Sequence, residues 1–139
     1  MHRHAHKFGL AATALALVLV AGASAAGPRE LVAGYEAAAR QSTPAFAGFS
    51  AARGARFFQE AHGGEWSCAT CHGATPTASG RHARTGKTIT PLAPTVNPER
   101  FTDAATTEKW FRRNCNDVLG RECTPQEKGD VLTWLLALK

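Results

Sequence analysis

Two cysteines and a histidine form the pattern in this chain with the clearest chemistry. Cys68-Ala69-Thr70-Cys71-His72 is a CxxCH sequence, the attachment signature of a c-type haem. Each thiol adds across one haem vinyl group, and two intervening residues let both sulfurs reach one edge of the porphyrin. The histidine then lies beneath the ring, where its Nε2 binds iron. The motif predicts one covalent haem c on Cys68 and Cys71, with His72 as the proximal ligand. The His72 Nδ1–H is expected to donate to a carbonyl oxygen in the Pro91–Pro94 stretch, which would orient the imidazole.

Two other roles for a CxxC pair fit the rest of the sequence poorly. A zinc site needs a second ligand pair at suitable spacing, and the only other cysteines, Cys115 and Cys123, lie eight residues apart. A thioredoxin-like redox pair opens a helix that follows a strand, and no strand pattern precedes Cys68. Haem attachment is therefore the favoured interpretation.

The N-terminus has the organisation of a secretory signal peptide. Arg3, Lys7 and three histidines precede the 14-residue apolar run 8–21, and small residues at 23–26 offer a cleavage site. The run is shorter than the ~20 residues of a membrane span. We expect residues 1–26 to be removed and residues 27–139 to form one haem domain in the periplasm, with no membrane span. That oxidising compartment favours a disulfide between Cys115 and Cys123.

The composition of the mature chain limits its partners. Without Arg3 and Lys7, 14 basic side chains face 11 acidic ones, a net charge of +3. No basic helix carries interleaved aromatic residues, so nucleic acid is not expected as a partner. The mild positive charge is compatible with an acidic redox protein. About 113 residues bury little apolar surface alone, and a haem supplies a large apolar plate to pack against.

Helical spacing and capping residues predict an all-α chain. The expected helices cover residues 30–40, from the N-cap Ser50 to about His62, from Asp103 or Thr106 to about Asn114, and 125–138. Thr124 and Glu127 form a capping box at the start of the last helix. Residues 73–101 are expected to be a long loop around the haem, without strands. Its basic residues, Arg81, His82, Arg84 and Lys87, are expected in a solvated loop or at the haem propionates or a docked partner.

The order of these parts resembles a class I c-type cytochrome. A helix with Gly54 and Phe58 precedes the CxxCH motif, and a helix with Trp134 closes the chain. The resemblance implies that these helices cross, with Gly54 and Phe58 packed against Trp134.

The sixth iron ligand cannot be methionine, because the only methionine is Met1. Most electron-transfer cytochromes of this class use that sulfur. The remaining candidates are His62, His82, Cys115, Cys123, a lysine, an amide oxygen and water. His62 lies only ten residues before His72, which places it on the same side of the haem.

Several segments make the resemblance more specific, because they are similar in order and spacing to the sphaeroides haem protein family. They are Leu31–Glu36, Arg84–Lys87, Pro91–Pro94, Arg100–Asp103, Glu108–Trp110, Arg113–Asn116 and Gly120–Pro125. The resemblance implies that the amide oxygen of Asn114 binds the distal face of iron and that Cys115 pairs with Cys123. It also implies binding of oxygen and nitric oxide, and a dihaem c-type or membrane b-type cytochrome as redox partner.

The chemistry of an amide ligand agrees with that implication. An amide oxygen is hard and neutral and suits Fe(III) better than Fe(II), so reduction should release Asn114 and open the site to a gas. An alternative for Asn114 is that it only ends a helix and binds no iron. Two alternatives for the protein are a plain electron carrier and a gas sensor whose bound state a partner detects. Turnover of nitric oxide or oxygen does not follow from the sequence.

Overall fold

The structure is a computed structural model and describes residues 27–139, so the expected signal peptide lies outside the described residues. Five helices and one short antiparallel ladder make up this part of the chain. They are α1 (Pro28–Ser42), α2 (Ala51–Gln59), α3 (Cys68–His72), β1 (Gly80–Arg81), β2 (Thr88–Ile89), α4 (Ala104–Leu119) and α5 (Pro125–Ala137). None of these helices is long and apolar enough to cross a membrane. The fold is all-α and of the class I cytochrome c type, as the sequence predicted.

The helix starts follow the predicted capping residues. The Ser50 hydroxyl accepts a hydrogen bond from Arg53 N at 3.2 Å and begins α2. The Thr124 side chain accepts from Glu127 N, while the Glu127 carboxylate accepts from Thr124 N, which completes the capping box of α5. Such reciprocal bonds satisfy backbone donors that a helix N-terminus leaves unpaired.

Helices α2 and α5 cross at backbone distance because residue 54 is glycine. A Cβ atom built on Gly54 would overlap the backbone of Asp130 and Val131 in α5. The predicted crossing is therefore present, and Trp134 packs on Phe58 as expected, with ring centroids 5.0 Å apart. Gly54, which was also expected to pack on Trp134, meets the α5 backbone instead. The reason is that only backbone fits against Gly54.

A buried carboxylate locks this crossing. Asp130 accepts hydrogen bonds from Ser50 N at 2.6 Å and from the Arg53 guanidinium at 2.8 and 2.9 Å. Arg53 also donates to the Gly48 carbonyl oxygen at 2.8 Å. A buried charge is tolerated when it is paired and hydrogen-bonded, so Asp130 ties the start of α2 to the middle of α5.

Two hydrophobic clusters lie on either side of α5. One joins Leu31 and Tyr35 of α1 to Leu132, and the other joins Phe58 of α2 to Val131 and Leu135. Phe101 and Phe111 contact both clusters. Helix α4, which carries Phe111, is thus connected to the bundle mainly by side chains.

The expectation of no strands in residues 73–101 is wrong. Gly80 pairs with Ile89 and Arg81 with Thr88 in an antiparallel ladder. Two residues per strand are too few to show an alternating pattern, which is why the sequence did not reveal them.

Two predicted helix ends are also wrong. Helix α2 ends at Gln59, and His62 adopts a positive φ of 49° while its Nε2 donates to the Phe57 carbonyl oxygen at 2.7 Å. Helix α4 continues five residues past Asn114 to Leu119, where Gly120 closes it at φ 66°. Asn114 therefore lies inside a helix. A glycine in the left-handed conformation is the usual helix stop.

Cys115 and Cys123 are paired in the structure as a disulfide, with their Cα atoms 5.5 Å apart. This pair joins the last turns of α4 to the residue that precedes the α5 N-cap. The cross-link limits how far the end of α4 moves from α5.

Replacement of Gly54 by leucine should destabilise the protein by roughly 1–3 kcal/mol, because the added atoms meet backbone that cannot rotate away. The matched control is Gly34→Leu, since Gly34 lies on an exposed face of α1 with nothing within 4 Å of an added Cβ. Thermal unfolding of both variants measures the difference. Equal melting temperatures for the two variants would contradict the close crossing.

Alkylation under denaturing, non-reducing conditions should label neither Cys115 nor Cys123. On the loop-entropy model the cross-link stabilises the protein by roughly 2–3 kcal/mol, so the Cys115→Ala/Cys123→Ala variant should melt at a lower temperature. Mass spectrometry of the alkylated peptides gives the answer, with a reduced sample as control. Labelling of both cysteines without reductant would disprove the disulfide.

Candidate functional site

A cavity of about 680 Å³ lies between α3, the β1–β2 ladder and α4. Its size is within the ~300–1,000 Å³ typical of cofactor sites. Aromatic and aliphatic side chains form most of its wall, among them Phe58, Trp66, Leu92, Phe101, Phe111 and Leu135. Cys68, Cys71, His72 and Asn114 all line this one cavity. The structure therefore brings together the residues that the sequence singled out.

A single helical turn presents the three motif residues to the cavity. Ser67 and Thr70 exchange hydrogen bonds in a capping box that starts α3. Burial raises the pKa of the Cys68 thiol to about 11. Burial, together with the charges of Arg100 and His82, lowers the pKa of His72 to about 4. His72 is therefore a neutral imidazole, the form that binds metal ions.

The hydrogen bond expected for His72 is absent from the described residues. We expected Nδ1 to donate to a carbonyl in the Pro91–Pro94 stretch, but this buried nitrogen has no partner there. The Pro91 carbonyl oxygen instead accepts from Asn97 Nδ2 and Arg100 Nε, both at 3.0 Å. These two side chains occupy one of the carbonyl oxygens that was expected to orient the imidazole.

The β1–β2 hairpin lies directly against α3. A Cβ atom on Gly80 would overlap Cys71 O and crowd the backbone of His72. The Ala83 N–H donates to Cys71 Sγ at 3.3 Å. The sequence analysis did not identify Gly80 as a site residue, because a glycine in a predicted loop does not indicate which part of the backbone packs against it.

Phe101 is a second residue that the sequence did not identify as part of the site. It lines the cavity with a φ of 62°, a conformation that is rare for aromatic residues. Contacts with both hydrophobic clusters hold it there. Its position depends on distant packing, so a local pattern does not predict it.

Helix α4 supplies the other side of the cavity. Asn114 is partly buried, and its side-chain amide makes no hydrogen bond within residues 27–139. Trp110, one turn earlier, is 45% exposed and carries the Arg113 guanidinium 5.1 Å from its ring centroid. An unpaired amide beside aromatic rings is available to a ligand or a metal.

The other candidates for the sixth ligand are placed less favourably. His62 is not among the cavity residues, and its ring bonds to the Phe57 carbonyl oxygen. His82 lines the cavity, but its Nδ1 accepts from Arg84 N at 3.2 Å and Thr85 N at 3.3 Å. Cys115 and Cys123 are bonded to each other. Asn114 is therefore a cavity-lining candidate whose side chain is engaged neither in a disulfide nor in a hydrogen bond among the described residues.

The residues around the cavity fit a covalent haem. Two cysteines and a neutral histidine would provide attachment and iron ligation, and apolar rings line the walls. Lys87 and Arg100 line the cavity and would supply positive charge for the propionates. Arg81 and Arg84 lie outside the lining, and the Arg84 guanidinium lies over the Trp66 ring at 5.1 Å. The predicted basic cluster is thus divided between the cavity and the surface.

Comparison with known proteins gives consistent matches. Residues 44–135 match a family model described as a domain of unknown function, DUF1924. The cytochrome c-type protein SHP of Cereibacter sphaeroides is 52% identical over 126 residues, which cover 86% of this chain and 92% of the relative. Cytochrome c'' of Methylophilus methylotrophus is 46% identical over 81 residues, 58% of this chain and 56% of the relative.

Solved structures match the fold as well. The structure of oxidised SHP, described as an oxygen-binding cytochrome c, superposes with a TM-score of 0.69 at 51% identity and covers 80% of this chain and 96% of that one. Oxidised cytochrome c'' superposes with a TM-score of 0.72 at 38% identity and covers 81% and 94%. The chain therefore belongs to the family of the cytochrome c-type protein SHP, and its cofactor is one covalent haem c.

Proposed function

We propose that this protein is an exported monohaem cytochrome in which Asn114 binds ferric iron and leaves it on reduction, so that ferrous iron accepts oxygen or nitric oxide. The observation that supports this most directly is the position of Asn114, whose free amide lines the same cavity as the CxxCH segment. Residues 27–139 contain no methionine that could compete for the iron.

The proximal side has three roles in this proposal. Cys68 and Cys71 hold the haem through thioether bonds, and His72 binds the iron through Nε2. The hairpin carrying Gly80 and Ala83 packs on this segment and keeps its backbone in place. Lys87 and Arg100 face the propionates.

On the distal side, Asn114 is the proposed ligand whose binding depends on the oxidation state of the iron. The haem supplies an iron atom that alternates between ferric and ferrous states and accepts a diatomic gas. The Asn114 amide oxygen is a hard, neutral donor, which favours Fe(III). Because the same oxygen would be a poorer donor to Fe(II), the Asn114 side chain would be free to turn away from reduced iron. Phe111 and Trp110 then form the apolar surroundings in which a small uncharged gas is stabilised.

Two relatives support this assignment by what is known of them. SHP is described as an oxygen-binding cytochrome c. The solution structure of cytochrome c'' was determined for the structural basis of haem-ligand detachment, and it superposes with a TM-score of 0.68 at 38% identity, covering 79% of this chain and 92% of that one. A ligand that detaches is the behaviour proposed here for Asn114.

Electron exchange completes the proposal. The redox partner is another exported cytochrome in the periplasm, of the dihaem c-type or the membrane b-type. Arg84, Lys87 and Arg113 are exposed around the cavity, so an acidic face on the partner would be attracted. The alternative is a plain electron carrier without gas chemistry. The spectra of Asn114→Ala and the nitric oxide binding of the reduced wild type distinguish this alternative from the proposed function.

Acid–acetone extraction should leave the haem on the polypeptide, because thioether bonds survive this treatment. Variants Cys68→Ala and Cys71→Ala should each keep one bond, whereas the double variant should lose the haem to the solvent. The Cys115→Ala/Cys123→Ala variant is the matched control and should retain haem as the wild type does. Haem released from the wild type would refute covalent attachment at this motif.

Replacement of Asn114 by alanine should change the ferric optical spectrum and leave the deoxygenated ferrous spectrum nearly unchanged. Asn116→Ala is the matched control, because Asn116 is exposed on the same helix and does not line the cavity. Reduced wild-type protein should bind nitric oxide without a slow ligand-dissociation step in stopped-flow experiments. A six-coordinate ferrous haem that is inert to both gases would identify a plain electron carrier instead.

A further inference from the structure

Helix α4 has fewer close backbone contacts with the other helices than α1, α2 and α5 have with one another. Among the described residues, close helix–helix packing joins α2 to α5 and α1 to α5, but α4 has no comparable contact with any of them. Side chains alone fix its position over the cavity. The disulfide at Cys115 holds one end. The other end is held by polar contacts with α1 and α5.

A three-residue cluster provides that second attachment. The Tyr35 hydroxyl of α1 donates to Glu108 Oε1 at 2.5 Å. The Lys128 ammonium of α5 donates to Glu108 Oε2 at 2.7 Å. Lys128 Nζ also lies 5.8 Å from the Tyr35 ring centroid. Tyr35, Glu108 and Lys128 form the Glu108 cluster, which joins three helices at one carboxylate of α4.

The protonation states of the cluster suit a permanent link. Partial desolvation alone would raise the pKa of Glu108, but the hydrogen bonds from Lys128 and Tyr35 outweigh it and hold the pKa below its usual value. Burial and the neighbouring carboxylate raise the pKa of Tyr35, so the phenol stays a donor. Charge-assisted hydrogen bonds of this kind are shorter and stronger than neutral ones.

The cluster lies on the same stripe of α4 as the disulfide. Glu108 and Cys115 are seven residues apart, about 10.5 Å along a helix axis. Phe111 lies between them and meets the Tyr35 ring edge-on, with centroids 5.9 Å apart. Asn114 lies within the same segment, next to Cys115. The two attachments therefore bracket Trp110, Phe111 and Asn114, which line the cavity.

We infer that Glu108 is a positioning residue for the distal ligand: the Glu108 cluster sets the height of α4 above the cavity and thereby the reach of Asn114 to ferric iron. This inference rests on the proposed role of Asn114. Loss of the cluster leaves α4 held by the disulfide and by the packing of Phe111 on the hydrophobic clusters. The amide of Asn114 then meets the iron in fewer molecules, while the proximal side is unchanged.

Tyr35→Phe is the cleanest test in the holoprotein, because it removes one hydroxyl without changing net charge or ring packing. Glu108→Gln is the stronger variant, since it weakens both links. The expected result is a ferric spectrum shifted towards that of Asn114→Ala, with about a tenfold lower ratio of ligated to unligated iron, which raises the reduction potential by up to about 59 mV. Ferrous nitric oxide binding should remain as in the wild type.

Glu36→Gln is the matched control, because it breaks the exposed Glu36–Arg40 ion pair within α1 and touches neither α4 nor the cavity. It should leave the ferric spectrum and the potential unchanged. If Glu108→Gln does not accumulate as holoprotein, Tyr35→Phe carries the test alone.

A second background separates the possible failures. In Asn114→Ala protein, the Tyr35→Phe and Glu108→Gln changes should have no further effect on the ferric spectrum or the potential. An equal potential shift in both backgrounds would show a purely electrostatic effect of Glu108 and overturn the inference. Wild-type spectra in both single variants, with a changed spectrum in Asn114→Ala, would also overturn it. An unchanged spectrum in Asn114→Ala itself would refute the proposed function instead.

Discussion

The close crossing of α2 and α5 at Gly54 is the constraint on which the rest of the structure depends. Helix α2 is followed by residues 60–67 and then by the CxxCH segment. Helix α5 begins two residues after Cys123, which is bonded to Cys115 of α4. Because the two backbones touch, and because Asp130 ties the start of α2 to α5, the crossing fixes both sides of the cavity relative to each other. One glycine and one buried carboxylate thus hold α2 against α5.

The two sides of the cavity differ in how firmly they are held. Helix α3 packs on α2 and on Gly80 of the β1–β2 ladder. The Ala83 N–H also donates to the Cys71 sulfur. Helix α4 depends on the Glu108 cluster and the disulfide. A rigid proximal side keeps the imidazole in place, and a side held by a few polar contacts is more easily displaced. This division suits a site whose proximal ligand stays and whose distal ligand leaves.

The sequence predicted what depends on local patterns and missed what depends on distant ones. The capping residues at Ser50 and Thr124 were recognised because their hydrogen bonds reach only three residues along the chain. The end of α4 was placed too early, since Asn114 is a poor helix former and the later stop at Gly120 was not recognised. The unpartnered His72 nitrogen could not be foreseen, because its expected acceptor is occupied by side chains that the fold brings to it.

The placement of Asn114 inside a helix has a consequence for how the proposed gate would work. With α4 continuing to Leu119, the backbone on both sides of Asn114 is held by helical hydrogen bonds, and the disulfide at Cys115 adds a covalent limit. Movement of the ligand is then confined to side-chain torsions, which change between staggered rotamers without unfolding the helix. Release of the Asn114 amide from the iron would then require no loop rearrangement. If Asn114 binds ferric iron as proposed, the balance between its bound and unbound rotamers would depend on the height of α4, and contacts away from the cofactor would control ligation.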